Sequence, residues 1–243
     1  MAVEILDPPP GWGRDDLSAF VETARRNTFA TFVQARQVWA LLGRIDAALR
    51  RAIEGMHNAR AWFEGFFLLR AHAAYLGAAR LSTSGQLPEA YMILRGCLEN
   101  ALYGLFTHEN PGLGEVWLRR HDDAASRQRV RDEFKIGRMM DLLEARDPGT
   151  GRAARDLYER TIDFGAHPNE LALTSVLRLT WGEGAVRFDL NYLSDNSTPA
   201  LALCLKTNAQ VGVCALGTFR LVVPERFDLL GLSDELTRLN AGL

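Results

Sequence analysis

Arg160 and His167 stand seven residues apart and together could serve phosphate chemistry. An imidazole titrates near neutrality and can pass a proton, and a guanidinium can hold charge developing on a phosphoryl oxygen. His167 belongs to the most motif-like stretch, Asp163-Phe164-Gly165-Ala166-His167-Pro168-Asn169-Glu170. There Gly165 can end a helix, Pro168 enforces a break, and Asp163 or Asn169 can hold loose backbone groups. The same residues would equally make a structural helix–strand junction. A second set is charged or polar within apolar runs: Arg70, His72 and Arg80, then Arg95 and Glu99, then Lys206, Asn208 and Gln210. Unpaired charge in apolar surroundings is costly, so these groups either pair with one another or line a polar pocket. Arg95 and Glu99 are spaced i, i+4 and can meet on one helix face. A cluster of Arg70, Arg95, Glu99 and His167, with Asn169 and Lys206 as further binding candidates, would fix the core or hold a small anionic ligand.

Metal chemistry has little support. Glu54-x-x-His57 has the spacing of half a carboxylate-bridged di-metal site in a four-helix bundle. No second Glu-x-x-His exists, and Asp163 with His167 is the nearest substitute, so no metal ligand set and no cofactor is expected. The chain lacks a P-loop, a Gly-x-Gly-x-x-Gly, a Gly-x-Ser-x-Gly and a His-Glu-x-x-His. Residues 119–138 hold seven basic side chains against four acidic ones. That excess can attract phosphate, but only Phe134 is available to stack on a base. A solvated, salt-bridged helix face is the plainer reading, and nucleic acid stays open as a partner.

The elements that must position these residues are mostly helical. Residues 1–14 read as an irregular tail, and Asp15 or Asp16 can cap the first helix. Apolar residues then recur at steps of three and four from Leu17 to Met56, predicting one amphipathic helix of about forty residues bent near Asn27-Thr28. The stretch 60–83 is apolar almost all round, which predicts a central helix. Pro88 starts a third helix ending at His108–Asn110, and Asp147-Pro148-Gly149 is a turn. A helix over 151–165 stops before Pro168. The period then changes to two, with Leu173, Ser175, Leu177 and Leu179, then Val186, Phe188, Leu190 and Tyr192 after Gly182-Glu183-Gly184. This predicts a β-hairpin near 172–193, which must pack on the helices because two strands alone are marginal. A last long helix runs from near Ser197–Pro199 to Val223, followed by a short one at 233–240. The fold class is therefore mainly α, a helical bundle with one β-hairpin insertion, and no linker divides residues 15–243.

Composition bounds the rest. The chain has 243 residues, 47% of them apolar and 24% charged, with a net charge of −2. These values exclude a disordered chain, a disulfide scaffold and a globally basic nucleic-acid binder. Of its 28 basic residues only Lys135 and Lys206 are lysines. Cys97, Cys204 and Cys214 lie among apolar residues and read as unpaired core thiols. The start of the chain has no signal-peptide pattern, and the most apolar segments, Trp62–Leu69 and Val211–Phe219, are shorter than a membrane span. A cytoplasmic protein without a membrane segment is the expectation.

Glu89-Ala90-Tyr91-Met92-Ile93-Leu94-Arg95-Gly96-Cys97-Leu98-Glu99-Asn100 and Gly165-Ala166-His167-Pro168-Asn169 resemble the two motifs of a bacterial helical family of unknown function. In that family a Leu-Arg-x-x-x-Glu-Asn helix precedes a Gly-x-His-Pro-Asn turn. The resemblance covers roughly residues 65–215 and implies a helical bundle without implying an activity. More distantly, the layout is similar to HEPN-type bundles, several of which are ribonucleases or defence and toxin components. Their Arg, four to six residues, His spacing is met by Arg160…His167 and by Arg51…His57. Two functional classes follow. One is a non-catalytic binding or regulatory module with a polar Arg/Glu/His cluster, a small anionic ligand, and self-association through the long amphipathic helix. The other is a metal-independent ribonuclease in which His167 moves protons and Arg160 holds the phosphate. A metal-binding bundle is a third expectation.

Overall fold

The computed structural model describes residues 7–56, 62–166, 170, 174, 177–182, 185–195 and 197–243. Asp15 opens helix α1 (Asp16–Gln34), its carboxylate accepting the Ser18 amide at 2.9 Å and the Ser18 hydroxyl at 2.5 Å. The expected forty-residue helix is interrupted at Ala35 (φ −111°, ψ 42°) rather than at Asn27, and α2 (Arg36–Ile53) continues from there. The amide ladder still runs through the bend, since the Ala35 N–H reaches the Thr31 carbonyl and the Trp39 N–H reaches the Ala35 carbonyl. The bend lets α1 lay polar groups on the C-terminal end of α3 (Trp62–Ser84). Asn27 Nδ2 donates to the Ser84 carbonyl at 3.2 Å and Thr31 Oγ1 to the Thr83 carbonyl at 2.9 Å. Those carbonyls have no partner within their own helix, which is why a polar side docks there. Leu17, Phe29 and Val33 of α1 consequently face solvent.

Helix α3 turns into α4 (Leu87–Glu109) at Gly85, whose φ of +90° suits glycine. A side chain there would also press on the Ser194 backbone, and the Gly85 carbonyl accepts the Ser194 N–H at 2.8 Å. This contact ties the segment after the hairpin to the α3–α4 turn. The charged stretch 119–138 is not one helix. It follows α5 (Leu113–Leu118) and comprises a 3-10 turn at Arg119–His121, α6 (Ala124–Glu133) and the start of α7 (Ile136–Arg146). Asp123 restarts the helix by capping Ser126, and the buried Phe134 anchors the next break. Helix α8 (Pro148–Thr161) then ends in a π-turn, Ile162–Ala166.

Strands β1 (Leu177–Gly182) and β2 (Ala185–Leu190) form an antiparallel hairpin, the one sheet among the described residues. Beyond its base at Leu177, the expectation that it packs on the helices is not met. Leu179, Trp181, Phe188 and Leu190 are exposed. The chain finishes with α9 (Pro199–Val222), α10 (Pro224–Leu229) and α11 (Leu232–Asn240).

The sequence points to α3 as the helix buried all round, yet Phe66, Leu69, Arg70 and Leu76 of α3 are exposed. The central helix is α9, packed on α2, α3, α4, α8 and α11. By length and composition Pro199–Val222 is also apolar enough to cross a membrane, and 72% of its most apolar window is buried within the bundle. Small residues explain how so many helices reach it. An ideal Cβ on Gly212 would stand 2.6 Å from Ile45 Cγ2 of α2 and 2.6 Å from Tyr75 Cε2 of α3. Tyr75 is held in place by its hydroxyl, which donates to the Leu42 carbonyl at 2.9 Å. The three cysteines are free and buried, and burial pushes their thiols up to about 12.

Two glycines test this packing. Gly212→Ala is expected to destabilise the fold by about 1–3 kcal/mol, because Ile45 and Tyr75 cannot both retreat. Gly43→Ala, on α2 with nothing near its Cβ position, is expected to stabilise by about 0.5–1 kcal/mol through helix propensity. Thermal unfolding of both variants checks the opposite signs. Equal shifts would mean that α9 is not in close contact with α2 and α3.

Candidate functional site

Of the residues grouped as a polar cluster, the structure brings together Arg95 and Glu99. Arg70 is exposed on α3 and needs no partner; Lys206 is exposed on α9. His167 and Asn169 lie outside the described residues, as does His57. Arg95 and Glu99 do meet. Arg95 Nε donates to Glu99 Oε1 at 2.9 Å. The same oxygen accepts the Tyr158 hydroxyl of α8 at 3.0 Å, and the Arg95 guanidinium lies 4.9 Å from the Tyr158 ring centre. Burial, with the Glu99 charge beside it, pushes the Tyr158 hydroxyl up to about 12. Charge, hydrogen bond and ring contact join these three residues and pin α4 to α8.

Arg160 has a different setting. It projects from the last turn of α8 towards α9 and is half-buried. Its Nη1 donates to Gln210 Oε1 at 2.8 Å and to Thr207 Oγ1 at 3.3 Å. Thr207 is fully buried and its own hydroxyl donates to the Leu203 carbonyl, so its oxygen is fixed as an acceptor. Both partners of the guanidinium are neutral. Among the described residues no carboxylate lies within 4.0 Å of it. Asp156, one turn earlier on α8, lines the same groove without reaching that distance.

That groove runs between α8, α9 and α11 and encloses about 430 Å³. Leu157, Val213 and Leu236 give it an apolar wall; Thr150, Thr237 and Asn240 give it polar groups. Arg160 with Gln210 stands at one end and Arg220 at the other, ten residues and about 15 Å along α9. Arg220 is already neutralised, since its Nη2 lies 3.1 Å from Asp147 Oδ2. Asp147 is also the cap of α8. It accepts the Gly149 and Thr150 amides, each at 3.1 Å, and the Thr150 hydroxyl at 3.0 Å. Burial alone would raise the Asp147 carboxyl. The Thr150 amide and hydroxyl, Arg220 and the Gly149 amide outweigh it and hold the group below its ordinary value.

The turn after α8 bears on the groove's Arg160 end. A Cβ at Gly165 would collide with the Pro88 backbone, so the π-turn sits hard against the first turn of α4. Phe164 stacks on Tyr91, with ring centres 5.3 Å apart. Sequence reasoning named Arg160 but tied it to His167, and it named Gln210 only as an interruption of an apolar helix. It missed Thr207, Arg220 and Asp147. The Asp147–Arg220 pair spans 73 residues, and no local pattern reveals it. Among the described residues there is no group of three or more His, Cys, Asp or Glu able to hold a metal. A second groove of about 430 Å³, at Arg119 and Arg129, is also lined by Glu115, Asp122 and Asp123, so its charge is mixed.

The Asp147 arrangement carries a pH signature. The folded pKa lies below the ordinary 3.8. The stabilisation is therefore complete above the unfolded value and is lost as pH falls through the folded one. Asp147→Asn is expected to lower the melting temperature at neutral pH by an amount corresponding to about 1–2 kcal/mol. It is also expected to flatten the fall of melting temperature between about pH 5 and pH 3. Parallel curves for wild type and variant would remove Asp147 from this role.

Comparison of the chain with protein-family models, with curated proteins and with solved structures finds no match in any of the three.

Proposed function

We propose that the protein is a non-catalytic binding module, and that the groove between α8, α9 and α11 takes a small organic anion. The observation that carries this reading is Arg160, a half-buried cation whose partners among the described residues are the neutral Thr207 and Gln210. A charge partly withdrawn from water without a counter-charge is unfavourable, and an anionic ligand would supply the counter-charge that the described residues do not. Gln210 and Thr207 use one nitrogen of the guanidinium and orient its plane. The remaining donors suit a carboxylate or a phosphate. Leu157, Val213 and Leu236 favour a ligand with an apolar body behind its charged group. The Arg95–Glu99–Tyr158 trio acts as the scaffold that holds α8, and with it Arg160, against α4.

Titration calorimetry and thermal shift against a panel of small carboxylates and phosphate monoesters test the reading. One equivalent of an anion is expected to bind, and Arg160→Gln to weaken it by about 10-fold to 150-fold, the value of a charge-assisted hydrogen bond. A ligand at a hundred times its Kd should stabilise the fold by about 2.7 kcal/mol. Equal binding by wild type and Arg160→Gln would overturn the assignment. RNA cleavage in EDTA that His167→Ala abolishes would replace it with ribonuclease chemistry.

A further inference from the structure

The hairpin has two unlike faces. Residues directly opposite in an antiparallel pair share a face, and the register places Leu177 opposite Leu190, Leu179 opposite Phe188 and Trp181 opposite Val186. That face is wholly apolar. The other carries Arg178 opposite Asp189 and Thr180 opposite Arg187, and Arg187 pairs with Asp189 at 2.7 Å. Leu177, at the base, turns towards the bundle beside Leu87 and Leu203. The rest of the apolar face is open to solvent: Trp181 77%, Phe188 65%, Leu190 54%, Leu179 49% and Val186 38% exposed. A two-stranded sheet with an uncovered apolar face is marginal in water and needs a second layer.

We propose that the second layer is the same hairpin of a second copy of this chain, the two apolar faces packing across a two-fold axis. Three observations favour a copy over other occupants. The five exposed side chains offer roughly 550 Å² per protomer, so a face-to-face pair buries about 1,100 Å², at the lower end of specific interfaces. The face holds no charge, and residues 177–190 carry Arg178 and Arg187 against Glu183 and Asp189, a net charge of zero, so two copies meet without net repulsion. For the same reason the hairpin lacks the basic excess that draws a segment to an anionic lipid surface. Sheet-on-sheet packing at about 10 Å accepts an identical partner, because its inner face has the same size and the same alternation. The self-association expected for the long amphipathic helix thus moves to the hairpin.

Sedimentation velocity of the full chain from about 1 to 200 μM tests this, since interfaces of this size hold in the micromolar range. A reversible dimer is expected. Phe188→Asp and Trp181→Lys should each weaken it at least about 100-fold, because each places a charge in the apolar centre. Both residues are exposed, so the helical circular dichroism of the variants should be unchanged. Phe29→Lys, on the exposed side of α1, should leave the dimer intact. A wild-type chain that stays monomeric at the highest concentration would overturn the proposal. So would a dimer lost in Phe29→Lys but kept in Phe188→Asp. Binding of the monomer to anionic vesicles, abolished by Phe188→Asp, would assign the face to a lipid surface instead.

Discussion

Burial of α9 on nearly every side is the constraint from which the other contacts follow. From Leu201 to Val222 most of its residues are inside the bundle, including Gly212, Ala215 and Gly217, which let neighbouring backbones come close. An apolar helix so placed must also account for its polar side chains. Thr218 donates to the carbonyl one turn back, as Thr207 does, at 2.9 Å and 2.8 Å. Asn208, fully buried, donates to Ser82 Oγ at 3.2 Å but its own Oδ1 finds no partner among the described residues. An unmet acceptor costs about 1–3 kcal/mol. Several Leu, Val and Phe side chains on the same helix, at about 1.5–3 kcal/mol each when fully buried, easily exceed it.

The position of α9 also separates the two interior arginines. Arg95 has Glu99 one turn away on its own helix and Tyr158 across the interface, so its charge is met inside the bundle. Arg160 reaches α9 where that helix presents Thr207 and Gln210, both neutral. One arginine therefore holds helices together, while the other faces a groove with no counter-charge among the described residues. The groove exists because α8 and α11 both lean on α9 without closing on each other; the Asp147–Arg220 pair seals one end.

Much of the element order was legible in the sequence, because caps and breakers act locally. Asp15 and Pro88 mark helix starts and the switch of period marks β1 and β2, whereas Asp147-Pro148, which reads as a turn, and Pro224, which reads as a stop, each also open a helix. What was not legible is long-range. The break at Ala35 arises from the docking of Asn27 and Thr31 on the end of α3, a contact spanning more than fifty residues. The exchange of roles between α3 and α9 turns on small residues at crossing points, which a hydrophobic pattern does not weigh. The hairpin's alternation was visible; that its apolar side beyond Leu177 is open to solvent was not. For the site, the i, i+4 spacing revealed Arg95 with Glu99. Arg160 drew notice through its distance from His167, whereas its contacts lie 47 and 50 residues away on α9.

Hydrogen–deuterium exchange resolved along the chain tests the central place of α9 most directly. Amides of the deepest element exchange only through global unfolding. Those of residues 205–219 are expected to be the slowest in the molecule, with the facing turns of α3 and α4 close behind and the exposed helix α6 fast. Exchange of α9 at the rate of α6 would contradict a bundle organised around that helix.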